Sequence, residues 1–228
     1  MIVDMERVQP EDMFQTAAER AYEKISQKII TGEFGPGTRL VRRQLAQELG
    51  MSTIPILEAM KRLEQDGLIE YRPHWGSIVT IPTVERVMDM YIFREAIECQ
   101  VARILATEAT EVQKQQLRKL ADELDRARFE GEETEKVNDL HIQFHTMMAE
   151  FTSYPSLISA LQRINFAWLL FNAVRSRRTR PAVQRYWHLA LVDKILDQDP
   201  EDAARAMREH VYDSYHPIIE DLKGTLTH

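Results

Sequence analysis

Gly32 to Pro82 reads GEFGPGTRLVRRQLAQELGMSTIPILEAMKRLEQDGLIEYRPHWGSIVTIP, and the punctuation of this stretch decides the fold. GEFGPGTRL is turn chemistry leading into a short extended piece. Val41–Leu49 then reads as a helix stopped by Gly50. Ser52 suits the N-cap of a further helix that runs to about Asp66, with Pro55 tolerable in its first turn and Gly67 beyond its end. Leu68–Tyr71 and Ser77–Ile81 are short strand candidates joined by RPHWG. Upstream, Ala18, Ala21, Tyr22, Ile25 and Ile29 fall at helical spacing between Phe14 and Ile30, a first helix followed by Gly32. Three helices and a hairpin is the order of a winged helix-turn-helix, with the hairpin as the wing.

Pro82 breaks this pattern, and everything after it reads as helix, interrupted near Ala109–Glu111, Gly131, Ser153–Pro155, Thr179–Pro181 and Asp199–Pro200. The last break is the clearest, because Asp199 can cap, Pro200 suits a first helical position, and Glu201 and Asp202 favour the positive end of the dipole. The expected fold class is mostly α, with an N-terminal extension (1–13), a winged helix-turn-helix (14–82) and an all-helical bundle of about six helices (83–228). The net charge of −7 argues at first against a nucleic-acid partner. Its distribution reverses that reading: residues 14–82 carry +1, whereas 1–13 and 83–228 carry −3 and −5. The single cysteine, Cys99, excludes an intrachain disulfide and reads as a small buried residue. The N-terminus has no basic segment followed by an apolar run, and no stretch approaches about 20 uninterrupted apolar residues, so a cytoplasmic location without membrane contact is expected.

The stretches GEFGPGTRL, RRQLAQELGMS and PILEAMKRLEQDGLIEYRPHWGSIV resemble the signature of the GntR family of bacterial regulators, with spacing intact from about Ala21 to Val79. The remainder resembles the helical, FCD-type ligand-binding domain of the FadR-like branch, most visibly in FREAIE, HIQFH and two late histidines. The resemblance implies a DNA-binding transcriptional regulator, a repressor by family expectation, whose second domain senses a small ligand.

In a winged helix the second helix of the motif enters the major groove. Thr53, Leu57 and Lys61 share the face that would reach base edges there. The resemblance implies arginines where this chain has Thr53 and Leu57. Their loss removes two bidentate donors, each worth about 1–3 kcal/mol of base discrimination, and leaves methyl groups, including those of Ile54, for thymine methyls. Arg43 stands where the family places an arginine toward DNA. Arg42, Ser52, Lys61, Arg62 and the wing residues His74 and Trp75 complete the candidate DNA-binding set, with phosphate contacts as the main role of its basic members. Taken singly, the basic residues also fit a solvated helix face, and Ile54 and Leu57 also fit packing against the wing or another subunit.

Four of the seven histidines sit where helical geometry gathers them. His141 and His145 are one turn apart on one face. His188 and His210 lie eleven residues before and eleven after Asp199, which puts them at the same height of an antiparallel hairpin. Four converging imidazoles in a helical bundle suit zinc or nickel. The resemblance implies ligands at the positions of His145, His188 and His210 with an aspartate as the fourth, and His141 stands in the place of that aspartate. Asp139, two residues away, points elsewhere. Hydrogen-bonded core histidines are the competing account. Arg94, in FREAIE, is where the family turns an arginine inward to clamp a ligand carboxylate, and a surface pair with Glu98 four residues on is its equal alternative. Arg163, Asn172 and Trp187 are weaker candidates for a cavity wall, and the run Arg175–Arg180 reads as a basic patch or a solvated loop.

The leading function is therefore a homodimeric regulator that binds a double-stranded DNA operator and answers to a divalent metal and a small carboxylate effector. A metal-free effector domain for an acyl thioester is the alternative within the family. A histidine-ligated metalloenzyme is the alternative from another class, although the sequence places no general base for it.

Overall fold

The computed structural model describes residues 15–164, 186–196 and 198–225, with backbone only at 134, 135, 221 and 225. The extension 1–13, Asn172, the run Arg175–Arg180 and the break at Thr179–Pro181 lie outside the described residues. The chain divides into two compact units, Met1–Ile81 and Pro82–His228.

In the first unit α1 (Ala17–Ile30) starts at Thr16, which forms a reciprocal capping box with Glu19. It buries Ala21, Tyr22, Ile25 and Ile29 against α3 (Thr53–Gln65), whose inner face is Ile56, Ala59, Met60 and Leu63. Ile25, Ile56 and Leu63 are fully buried, each contributing about 1.5–3 kcal/mol of transfer free energy. The Tyr22 hydroxyl donates to Asp66 at 2.7 Å and the Arg62 guanidinium lies over the Tyr22 ring at 4.3 Å, so a polar clasp closes the same helix pair. Between them in the chain comes α2 (Arg42–Glu48), which packs on α3 and buries Leu45 and Ala46.

The wing is the antiparallel pair β1 (Ile69–Arg72) and β2 (Gly76–Val79). Its pairing keeps Tyr71 opposite Ser77, as the sequence spacing implies, and only the strand bounds differ: Leu68 donates its amide back to Leu63 O at 2.9 Å, closing the end of α3, so β1 starts one residue later. The connection shrinks to Pro73, His74 and Trp75, with His74 at φ 66° and Gly76 at φ 79°. A left-handed residue next to the pairing is a common way to close a three-residue hairpin, and Gly76 adopts it without a Cβ penalty. The extended piece expected before α2 lies alongside β2: Arg39 bridges Ile78, and Leu40 donates to Ser77 O at 2.9 Å.

The second unit contains α4 (Val84–Glu108), α5 (Glu111–Glu130), α6 (Thr134–Phe151), α7 over 155–164, α8 (Trp187–Ile195) and α9 (Pro200–Thr225) among the described residues. The cap expected at Asp199 is present, and a further one stands at Thr110. Thr110 and Gln113 form a capping box, and Asp199 Oδ1 accepts from Glu201 N at 2.8 Å. The helix α4 packs on α9 and α6, α5 on α6 and α8, and α8 on α9, so five faces turn toward one interior. Cys99 is buried there, its thiol directed at Ala204 O at 3.3 Å. No helix among the described residues is long and apolar enough to cross a membrane.

Candidate metal centre and nucleic-acid face

The interior of the second unit is polar where these faces meet. His141 and His145 lie one turn apart on α6, with ring centroids 4.5 Å apart. His188, the second residue of α8, stands 5.5 Å from His141 and 6.3 Å from His145. His210 of α9 is 5.2 Å from His188 and 5.5 Å from His145. One nitrogen from each of His141, His145 and His188 can be chosen so that the three lie within 4.8 Å of one another. His210 closes the fourth side, stacked on Trp187 at 4.4 Å. All four histidines are buried, and burial holds each imidazole below its ordinary range, well below for His141, His188 and His210. They are therefore neutral bases with lone pairs at neutral pH. Among the described residues, His188 Nε2 and both His210 ring nitrogens are buried without a hydrogen-bond partner.

Two carboxylates stand behind this cluster. Glu98 Oε2 lies 3.1 Å from His145 Nδ1, while Glu98 Oε1 accepts from Arg94 Nε at 2.7 Å. Asp125 of α5 accepts from His188 Nδ1 at 2.7 Å. Burial opposes the charge on Glu98, but Arg94 and His145 outweigh it and hold the carboxyl below its usual range. Burial raises Asp125, with the amides of Leu189 and His188 opposing.

The structure corrects one expectation about Arg94. Its partner is Glu98, but the pair is not on the surface, since the two side chains are 1% and 2% exposed. The stripe Val87, Tyr91, Arg94, Glu98, Val101, Ala102 and Leu105 is the buried face of α4, so both charges are carried inward. Arg94 Nη2 sits 3.1 Å from His145 Nε2, the guanidinium lies 5.7 Å from the Tyr91 ring, and Nη1 is buried with no hydrogen-bond partner among the described residues. Trp187 is brought to the cluster, whereas Arg163 and Asp139 are exposed. Asp125 and the buried state of Glu98 were missed by sequence reasoning. The available signal was a carboxylate one turn past Ala121 in the stripe Leu117, Leu120, Ala121, Leu124.

In the first unit Arg42, Arg43, Ser52, Thr53, Leu57, Lys61, Arg62, His74 and Trp75 are all exposed. Ser52 holds the N-cap position of α3, but its hydroxyl makes no capping hydrogen bond. Thr53, Leu57 and Lys61 follow one another at four-residue spacing along the outer side of α3, joined by Ile54, which is 68% exposed. Arg62 is on the flank, over Tyr22. The wing tip presents Trp75, 67% exposed.

A winged helix-turn-helix joined to a helical bundle with an inward-facing polar centre defines a DNA-binding transcriptional regulator with a second, helical domain. Two family profiles match: "Bacterial regulatory proteins, gntR family" over residues 17–79 and "FCD domain" over 89–213. The chain belongs to the GntR family, in the branch that carries an FCD domain. It is 28% identical over 209 residues to the uncharacterized HTH-type transcriptional regulator YdhC of Bacillus subtilis, covering 90% of each chain. It is 26% identical over 204 residues to the HTH-type transcriptional repressor RspR of Escherichia coli, covering 86% of each. The solved structure of E. coli McbR/YncC shares the fold, with a TM-score of 0.74 at 18% identity over 91% of this chain and 99% of that one. The family and these relatives are transcription regulators rather than enzymes, which removes the metalloenzyme reading.

Proposed function

We propose that this regulator is a homodimeric repressor whose helical unit holds one divalent metal through His141, His145, His188 and His210, with a small carboxylate effector received beside it by Arg94. The observation that carries the reading is the convergence of four neutral, buried imidazoles, three of whose nitrogens have no hydrogen-bond partner among the described residues. Each unsatisfied buried polar atom costs about 1–3 kcal/mol. A cation shared among them offsets that cost, and an all-imidazole set favours zinc or nickel over magnesium or calcium. When bound, the ion supplies positive charge for an anionic effector. Arg94 supplies the directional part, because Glu98 fixes its Nε while Nη1 remains a buried donor without a partner. Repression is the sense in which the relative RspR is described.

On the DNA side, Arg43 and Arg42 at the start of α2, Lys61 on α3, and His74 and Trp75 on the wing give phosphate contacts. Ser52, Thr53 and Leu57 face the bases, and Arg62 supports from the flank. With few charged groups on the reading face of α3, affinity rests on phosphates and falls steeply with salt. Arg43→Ala is expected to lower affinity for a selected operator several-fold and to reduce the slope of log K against log salt by about one contact. Fluorescence anisotropy over a salt series measures both, and an unchanged slope would remove Arg43 from the interface. Two-fold operators call for a dimer, so light scattering should give twice the chain mass.

The functional test is operator binding by the full chain, metal-free and zinc-loaded, against a panel of small carboxylates. The expected result is a carboxylate that weakens operator binding only in the zinc-loaded protein. An operator affinity indifferent to every combination overturns the effector reading.

A further inference from the structure

We propose that Asp125 is the positioning residue of the histidine cluster: it fixes the His188 ring proton on Nδ1 and thereby aims the Nε2 lone pair at the centre. The inference rests on the metal reading above. Asp125 belongs to α5, yet its carboxylate takes the first turn of α8. Oδ2 accepts from the His188 and Leu189 amides at 2.9 and 3.0 Å, and Oδ1 from the His188 amide at 3.1 Å and the His188 ring at 2.7 Å. Backbone and ring of one residue are thus gripped by one carboxylate, with His188 fully buried and Asp125 1% exposed.

A carboxylate accepts and does not donate, so the ring nitrogen facing it must carry the proton. The opposite tautomer would point a lone pair at Oδ1 and place an N–H at Nε2, which meets no hydrogen-bond partner among the described residues. With Nδ1 protonated, Nε2 is a lone pair aimed among His141, His145 and His210. A ligand histidine whose other N–H is held by a carboxylate is pre-oriented and more basic, which raises its affinity for a metal.

The capping and orienting roles separate in Asp125→Asn. The amide oxygen, placed at Oδ2, still accepts from the His188 and Leu189 amides, so the start of α8 is kept. The amide nitrogen, placed at Oδ1, donates to His188 Nδ1 and drives the ring proton to Nε2, which then cannot coordinate.

Long-range proton–nitrogen correlation on the metal-free protein with labelled histidine reads the tautomer of His188, and competition with a chromophoric chelator reads zinc affinity. The expected results are the Nδ1–H form in the wild type and the Nε2–H form in Asp125→Asn. Zinc affinity should fall about 10- to 100-fold, while circular dichroism and the thermal midpoint of the metal-free protein stay close to wild type. Wild-type zinc affinity in Asp125→Asn, or the Nε2–H form in the wild type, overturns the proposal. Should Asp125→Asn fail to fold, the wild-type tautomer alone decides. A wild type in the Nδ1–H form that binds no zinc fails the metal reading instead and reduces Asp125 to a cap for α8.

Discussion

Glu98→Ala is expected to destabilise the metal-free protein by about 3–5 kcal/mol, the cost of leaving one partner of a buried ion pair alone. Arg94 and Glu98 lie on the inward stripe of α4, 2.7 Å apart and almost wholly withdrawn from solvent. The gain of such a pair over an apolar pair is small, but the loss of one member is not, because the guanidinium has no route to water and cannot shed its proton. Among the described residues, the other groups beside the guanidinium are His145 Nε2, 3.1 Å from Nη2, and Tyr91, whose ring lies 5.7 Å away, and neither can replace a carboxylate. The Arg103–Glu201 pair supplies the control. It has the same chemistry at 2.9 Å, but Glu201 is 73% exposed, so Glu201→Ala should hardly move the transition. Urea unfolding followed by circular dichroism measures both. A loss below about 1 kcal/mol for Glu98→Ala would show that the charges are solvated and the pair is not buried.

The second large effect is the pH dependence of the metal-free protein. Burial holds His141, His145, His188 and His210 below the ordinary imidazole value in the folded chain, so the unfolded chain binds more protons wherever the pH is below about 6.5. Stability is therefore fully present above that value and is lost as pH falls. Each histidine that stays neutral in the fold at pH 5 contributes a loss of about 2 kcal/mol, so the cluster as a whole costs several kcal/mol. Glu98 does not offset this, because its folded carboxyl is held below the usual range and its contribution disappears only at lower pH. Asp125 acts in the opposite sense, since burial raises it and favours protonation in the fold, but its effect begins nearer the carboxylate range. Urea midpoints in chelator should fall steadily from pH 7.5 to 5, and a substitution of His188 and His210 by glutamine should flatten the curve. A midpoint indifferent to pH over this range would mean that the imidazoles are solvated.

The fold was legible because its signals were local. Glycines after helices, the Asp199–Pro200 start of α9 and the period of Ala21, Tyr22, Ile25 and Ile29 each depend on a few consecutive residues. The start of the first wing strand was misplaced by one residue because the Leu68 amide is claimed by α3, a contact that strand propensity does not contain. Spacing alone brought His141 to His145 and His188 to His210. It could not show Asp125, since the partner that gives that carboxylate a role is 63 residues further along the chain. The same limit applied to Arg94, where a four-residue spacing to Glu98 is identical for a surface pair and a buried one. Only the stripe on which both fall separates them. Glu98 behind His145 and Asp125 behind His188 place negative charge next to the ring nitrogens, another pairing that spacing along the chain does not contain.

The most direct test of the proposed metal site is elemental analysis of the full chain, purified without a histidine tag, stripped with chelator and then dialysed against zinc or nickel. The site predicts one metal per chain, retained through gel filtration at neutral pH, released as pH falls well below 6.5, and lost in His188→Ala and His210→Ala. A wild type that leaves the column free of metal, or variants that retain it at full stoichiometry, would contradict the account.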